Sequence, residues 1–190
     1  MLTTEVNLKD PRVIRTRQLI IDAFVLLLGK QDFHSITVSD ISKQATINRA
    51  TFYAHFPDKY ALIEEYLSSS FIEFIYRRVD KQADLTEETV TSIIIGLCEY
   101  HEASNKRCMR NYDTVASLVE KSIIAQLEKF ILQMMVKNCE ETQKDILEIA
   151  ANMLTWSIYG STYRWNRDRR TETPQQFAIK IMPMIKGYIE

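Results

Sequence analysis

Four glycines and four prolines are all that punctuate a chain of 190 residues. These are the strongest local breakers of regular structure, so their scarcity leaves few turns for a many-stranded fold. β-Branched alternation is also scarce, and apolar residues recur at helical spacing almost throughout. The expected fold class is therefore all-α. An apolar content of 46% with 26% charged residues is that of a globular chain, long enough for one generous domain or two small ones sharing a core.

Asp10-Pro11 reads as a helix start, with Asp as N-cap and Pro in the first turn. Ile14, Leu19, Ala23, Leu26 and Leu27 continue that helix, and Gly29 closes it. Thr37 then caps a two-turn helix, with Asp40 three residues on as a capping-box variant and Val38, Ile41 and Ala45 on one apolar side. After "ATI", Asn48 caps a second short helix, and the pair reads as a helix-turn-helix. Pro57-Asp58 ends it and caps a long helix over about 59–78. Further amphipathic helices are expected over about 87–103, 113–137, 143–166 and 174–189, with "EASNKRCMRN" and "DRRTET" as loops. This predicts a three-helix head at 1–57, joined by a long helix to a helical body at 58–190.

Residues 11–59 carry seven cations and four anions, a surplus of three, so the rest of a chain of net charge −1 carries −4. A mildly basic head on an acidic body suits a polyanion partner. In "NRATFYAHFPDK", Phe52 and Phe56 lie one above the other on a helix and can pack on Val38 and Ile41. Ala50 and Ala54 form a second such pair whose small side chains permit close approach to another surface. Arg49, Thr51 and Tyr53 flank them with donors of differing reach, and Lys59 sits beside the amide-rich start of the next helix, a favourable phosphate position. Base edges need close approach while phosphates need donors on either rim, which is the demand of a helix in the major groove.

The stretch "ITVSDISKQATINRATFYAHFPDKYALI", extended upstream through "RTRQLIIDAFVLLLGKQDF", strongly resembles the DNA-binding head of tetracycline-repressor-type (TetR) regulators. The resemblance implies that the third head helix enters the major groove. It implies contacts from Thr37, Arg49, Thr51, Tyr53, His55 and Lys59, mostly to phosphates, with Arg49 and Ala50 nearest the base edges. One position departs from the family pattern: the turn usually carries Gly where this chain has Thr46. Glycine serves there because the turn favours φ > 0, where threonine is strained.

The body's "LTWSIYGSTYRW" resembles Gram-positive members of that family. On the helix from about 143, Ile146, Ile149, Met153, Trp156, Gly160 and Tyr163 form one apolar seam. Leu147, Ala151, Leu154, Ile158 and Trp165 form a second, leaving Glu148, Asn152, Thr155, Tyr159 and Thr162 as a more polar side. A helix apolar on two sides is buried on two sides. One face of each of the last two helices is therefore expected to close the subunit and the other to meet a second copy. Met153, Gly160, Tyr163, Phe177, Ile181, Met184 and Tyr188 are the expected dimer residues. Pro183 is expected to kink or interrupt the last helix. Tyr100, His101, Tyr112, Asn152, Thr155, Trp156 and Tyr159 are candidates for an effector cavity with an apolar lining and a few polar handles.

Other classes find little footing. There is no Gly-rich phosphate loop, metalloprotease pair or nucleophile elbow, so an enzyme is not expected. Cys98, His101 and Cys108 invite a metal or redox reading, yet no second tight pair completes a metal site, and neither metal nor cofactor is expected. No apolar run approaches the roughly 18 residues that span a bilayer. The start lacks the order of a signal peptide and three spaced cysteines imply no disulfide framework, so a cytoplasmic location is expected. The expected partners are double-stranded operator DNA, a second copy and a small-molecule effector. The alternatives are a regulator, activator or repressor, whose body takes a protein partner, and a helical interaction protein that never touches DNA.

Overall fold

The computed structural model describes residues 10–108, 111–138, 144–168 and 171–188. Among these there are eight α-helices and no strand. They are α1 (Pro11–Leu28), α2 (Val38–Gln44), α3 (Arg49–His55), α4 (Lys59–Tyr76), α5 (Glu87–Cys108), α6 (Tyr112–Met135), α7 (Lys144–Arg167) and α8 (Pro174–Ile185). Short 3-10 turns follow α1, α6 and α8, at Phe33–Ser35, Val136–Asn138 and Lys186–Tyr188.

The caps explain most of the boundaries. Asp10 accepts from the Arg12 amide at 2.8 Å with Pro11 in the first turn. Thr37 and Asp40 form a reciprocal capping box at the start of α2. Thr173 and Gln176 form another at α8. Gly29 ends α1 with a right-handed φ of −73°, so a left-handed conformation is not its reason for being there.

Two expectations about helix ends change. The first seven residues of "EASNKRCMRN", Glu102 to Cys108, are helix rather than loop, because α5 runs on through good helix formers such as Ala103 and Lys106. Pro183 stands inside α8 without stopping it at once. It lacks the N–H that would reach Ile179, and α8 passes into a 3-10 turn at Lys186.

The chain divides into two compact units, Met1–Leu67 with Ser104–Val119 and Ser68–Ala103 with Glu120–Glu190. In the first, Phe24, Phe33, Ile41, Phe52 and Phe56 are buried and form the centre of the head. Phe24 meets Phe33 edge-on at 6.2 Å, and Phe52 lies 6.0 Å from Phe56. In the second, α4 and α5 approach closely at Gly96, where a Cβ would stand 3.3 Å from the Phe74 carbonyl oxygen. Arg78, in the turn just after α4, pairs with Glu99 of α5 beside that approach.

In the same unit α7 buries Ala151, Leu154, Ile158 and Trp165, the second of the two expected seams. The expected polar side turns inward as well, since Thr155, Tyr159 and Thr162 are buried with it. Thr162 makes this tolerable by donating its hydroxyl back to the Ile158 and Tyr159 carbonyls. The other apolar seam, Ile146, Ile149, Met153 and Trp156, is left exposed together with Gly160.

Candidate nucleic-acid interface

The turn between α2 and α3 sets the aim of the recognition helix. The Ile47 amide donates to the Ser42 carbonyl at 2.9 Å and the Thr46 amide to the Lys43 carbonyl at 3.2 Å. This is the paired bonding of a Schellman motif, which places the residue after the cap in the left-handed region. Thr46 occupies that place with φ 57°, the single non-glycine residue with positive φ among the described residues. The turn keeps its usual shape, and the threonine carries the strain.

Asn48 then starts α3. Its Oδ1 accepts from the Thr51 amide at 2.7 Å and from the Thr51 hydroxyl at 3.0 Å. One face of α3 is fastened by buried Phe52, with buried Phe56 just after it, while Arg49, Ala50, Tyr53 and Ala54 stand exposed on the other. Tyr53 is 49% exposed, and its ring meets Phe52 edge-on at 5.6 Å.

The remaining expected contacts are engaged elsewhere. The Thr37 hydroxyl donates to Asp40 Oδ2 at 2.6 Å, a bond that also holds the Asp40 carboxyl below the usual carboxylate range. The Thr51 hydroxyl serves Asn48, as above. His55 is half-buried, its Nδ1 enclosed without a hydrogen bond, and burial with the neighbouring Arg17 charge pushes its pKa down.

Lys59 departs furthest from expectation. Its ammonium donates to the carbonyls of Phe33 at 2.8 Å, His34 at 3.0 Å and Ile36 at 2.8 Å. An ammonium has three donors, and all three point into the head rather than toward a phosphate. Burial lowers its pKa.

Arg17 is a residue that sequence reading counted only as charge. From α1 it donates to the His55 carbonyl, pairs with Glu65 and stacks over Phe56 at 4.2 Å. Its signal in the sequence is no stronger than that of Arg12 or Arg15 beside it.

Residues 20–66 match the family model described as bacterial regulatory proteins, tetR family. Over that stretch the chain is similar to the DNA-binding head of tetR-family regulators. The matched segment of this TetR-type head runs from α1 to α4 and contains the capping box, the Schellman turn and all of α3. The family is one of transcription regulators rather than enzymes.

Two curated relatives each match about a third of the chain. An uncharacterized HTH-type transcriptional regulator, YxbF of Bacillus subtilis, is 43% identical over 67 residues, 35% of this chain and 18% of the relative. The HTH-type dhaKLM operon transcriptional activator DhaS of Lactococcus lactis is 37% identical over 62 residues, 33% of either chain. The matches thus span a third or less of those relatives. The fold of the chain over most of its length is similar to solved structures at low identity. Against the dihydroxyacetone kinase operon activator DhaS the TM-score is 0.58 at 20% identity, covering 93% of this chain and 97% of that one. Against the transcriptional regulator FadR of Bacillus subtilis, in complex with stearoyl-CoA, it is 0.56 at 16% identity, covering 91% and 99%.

The body gathers some of the expected effector residues and disperses others. Tyr100, His101, Thr155 and Tyr159 are buried. The His101 ring lies 5.5 Å from Tyr100, 5.5 Å from Tyr159 and 5.8 Å from Tyr163, and Tyr159 stacks on Tyr163 with their planes 9° apart. Tyr163, expected at a dimer face, therefore belongs to this cluster. Burial lowers the His101 pKa to about 3 and raises that of Tyr159. The Thr155 hydroxyl, four residues before Tyr159 on α7, is enclosed without a hydrogen-bond partner. Asn152 and Trp156 are exposed instead, Asn152 donating to Glu128 at 3.1 Å. The Tyr112 side chain lies outside the described residues.

Of the expected dimer residues, Met153, Gly160 and Met184 are exposed, Tyr188 is half-buried, and Phe177 and Ile181 face into the body. Among the described residues no group of three His, Cys, Asp or Glu side chains is arranged to hold a metal, and no helix is long and apolar enough to cross a membrane. Cys98 is a buried free thiol whose pKa burial raises, and the Cys108 side chain is outside the described residues.

Proposed function

We propose that this DNA-binding regulator acts in the cytoplasm as a homodimeric repressor on a near-palindromic operator and is released by a small-molecule effector. The observation that carries the DNA reading is the two-sidedness of α3: Phe52 holds it to the head while Arg49, Ala50, Tyr53 and Ala54 face outward. A helix so built can bring its alanine side close to base edges, with Arg49 reaching a base or phosphate and Tyr53 a phosphate. Thr37, Thr51 and His55 are assigned supporting roles, since their polar atoms already serve caps or lie half-buried.

One short helix reads too few bases to select a genomic site, which favours a pair of heads roughly 34–36 Å apart. The exposed seam of Ile146, Ile149, Met153, Trp156 and Gly160, with Met184 on α8, is the surface we assign to the second copy. The functional boundary we propose is a reading head at 1–57 and a responding body at 58–190. The Tyr100, His101, Tyr159 and Tyr163 cluster, with the enclosed Thr155 hydroxyl, is the assigned effector region.

Selection from a random-sequence duplex library tests this reading. Enriched duplexes should carry two inverted half-sites about one helical turn apart. Arg49→Ala should change the preferred bases, whereas Tyr53→Phe should weaken all duplexes alike. Enrichment without inverted symmetry would remove the dimeric operator from the proposal.

A second reading has a specific support: a relative matched by sequence and a structure matched by fold are both described as operon activators. On that reading the exposed α7 seam takes a protein partner and the chain raises transcription. A reporter placed behind the selected site separates the two by the sign of the response.

A further inference from the structure

Phe33 is held at both ends of its own residue by two side chains from distant parts of the chain. Its amide donates to Asn111 Oδ1 at 2.8 Å, and its carbonyl accepts from the Lys59 ammonium at 2.8 Å. The two amide hydrogens of Asn111 go to the carbonyls of Leu28 at 3.0 Å and Gln31 at 2.8 Å. The other donors of Lys59 go to the His34 and Ile36 carbonyls, as described above. Between them, the two side chains satisfy backbone groups along the whole connection from α1 to the N-cap of α2.

That connection needs them. Its own amides reach the carbonyls of Leu27, Asp32 and Phe33, whereas those of Leu28, Gln31, His34 and Ile36 are reached by the two side chains, and Phe33 and Ile36 are buried beneath it. Asn111 is 2% exposed, so it acts from inside the head. It immediately precedes α6, a helix running on to Met135, and Lys59 is the first residue of α4. The connection ends at Thr37, whose capping box starts α2, and α2 carries the turn that aims α3. The orientation of the recognition helix is thereby referred to the first turns of α4 and α6.

We infer that Asn111 and Lys59 are positioning residues for DNA recognition, which set the presentation of α3 by clamping residues 28–36 and touch no DNA themselves. The proposal rests on the DNA-binding reading of the head and adds to it the means by which the head is held in register.

The test uses the full chain and the duplex it enriches from a random library. In the unmodified protein the Phe33 amide should exchange with deuterium at least roughly tenfold more slowly than in Asn111→Leu, because only the former has an acceptor for it. Asn111→Asp keeps that acceptor and loses the donors, and covers the case in which Asn111→Leu does not fold. Lys59→Met should lower the ratio of selected-duplex to random-duplex affinity by roughly tenfold while leaving the dependence of binding on salt unchanged. A lysine on a phosphate would instead lower the salt slope by about one and weaken both duplexes alike. That second outcome overturns the proposal for Lys59, and a Phe33 amide that exchanges as fast in the unmodified protein as in an unstructured peptide overturns it for Asn111. Unchanged discrimination in both Asn111→Asp and Lys59→Met overturns it altogether. Failure to enrich any duplex would overturn the DNA-binding reading itself, and the role of both residues with it.

Discussion

The Arg17 guanidinium donates to the His55 carbonyl at 2.8 Å, closing the last turn of α3 from a residue of α1 that lies 38 positions earlier. The same group pairs with Glu65 on α4 and lies over the Phe56 ring. A cation at the carbonyl end of a helix is favourable on its own account. Here it also joins α1, α3 and α4 through one side chain.

Arg17→Met keeps most of the stem and removes the charge. It should destabilise the head by about 1–2 kcal/mol, a charged hydrogen bond discounted for the exposure of Glu65. Urea unfolding followed by far-UV dichroism measures this, and an unchanged midpoint would show that the bond contributes nothing in solution.

Thr46 holds a left-handed φ of 57° with a branched Cβ. Relief of that strain by Thr46→Gly should exceed the entropy glycine adds to the unfolded chain, for a net gain of about 0.5–1 kcal/mol. A thermal scan should place the variant a few degrees higher. A lower midpoint would mean that the threonine side chain holds the turn by a contact that outweighs its strain.

His101 titrates low in the folded protein, at about 3, against an ordinary value near 6.5. Its folded pKa is depressed, so the unfolded chain binds the proton first. Stability from this group is complete above pH 6.5 and is lost as pH falls through the window toward 3. The slope should approach about 1 kcal/mol per pH unit near pH 5. His101→Phe should lack that slope between pH 6.5 and 5, where few carboxylates titrate. Parallel curves for the two proteins would place the imidazole in contact with water.

Gly160 is exposed, and a Cβ built there meets nothing within 4 Å in the single chain. Gly160→Leu should therefore be accepted by the monomer, with a helix-propensity gain of up to about 1 kcal/mol. If α7 of a second copy packs there, the same substitution, like Trp156→Lys, should shift sedimentation toward the monomer. A dimer that survives both changes would have its interface elsewhere.

Much of this fold was legible because its signals are local. Asp10-Pro11, Thr37 with Asp40, and Asn48 all start helices where the sequence puts them, and each acts within three residues of itself. The unusual turn residue was legible too, since the strain at Thr46 depends on one backbone angle. The end of α5 was misjudged because propensity carried the helix through a polar stretch that reads as loop. The roles of Lys59, Arg17 and Asn111 were hidden for a different reason. Their partners are backbone atoms 23 to 83 residues away, and a carbonyl leaves no mark in the sequence. The two faces of α7 were correctly read as apolar, but periodicity alone does not tell which neighbour each face meets. The polar strip with Thr155 and Tyr159 proved to be inside, and Trp156 outside.

The three carbonyl oxygens around Lys59 form a host for its ammonium much as the ring oxygens of a crown ether hold a primary ammonium ion. Such a host selects by the tripod of N–H bonds rather than by charge. A guanidinium presents its donors in a flat fork and cannot direct three N–H bonds from one nitrogen to three oxygens. Arginine at position 59 would keep the positive charge of the head and lose its guest, so the customary equivalence of the two cations fails at this one place in the fold.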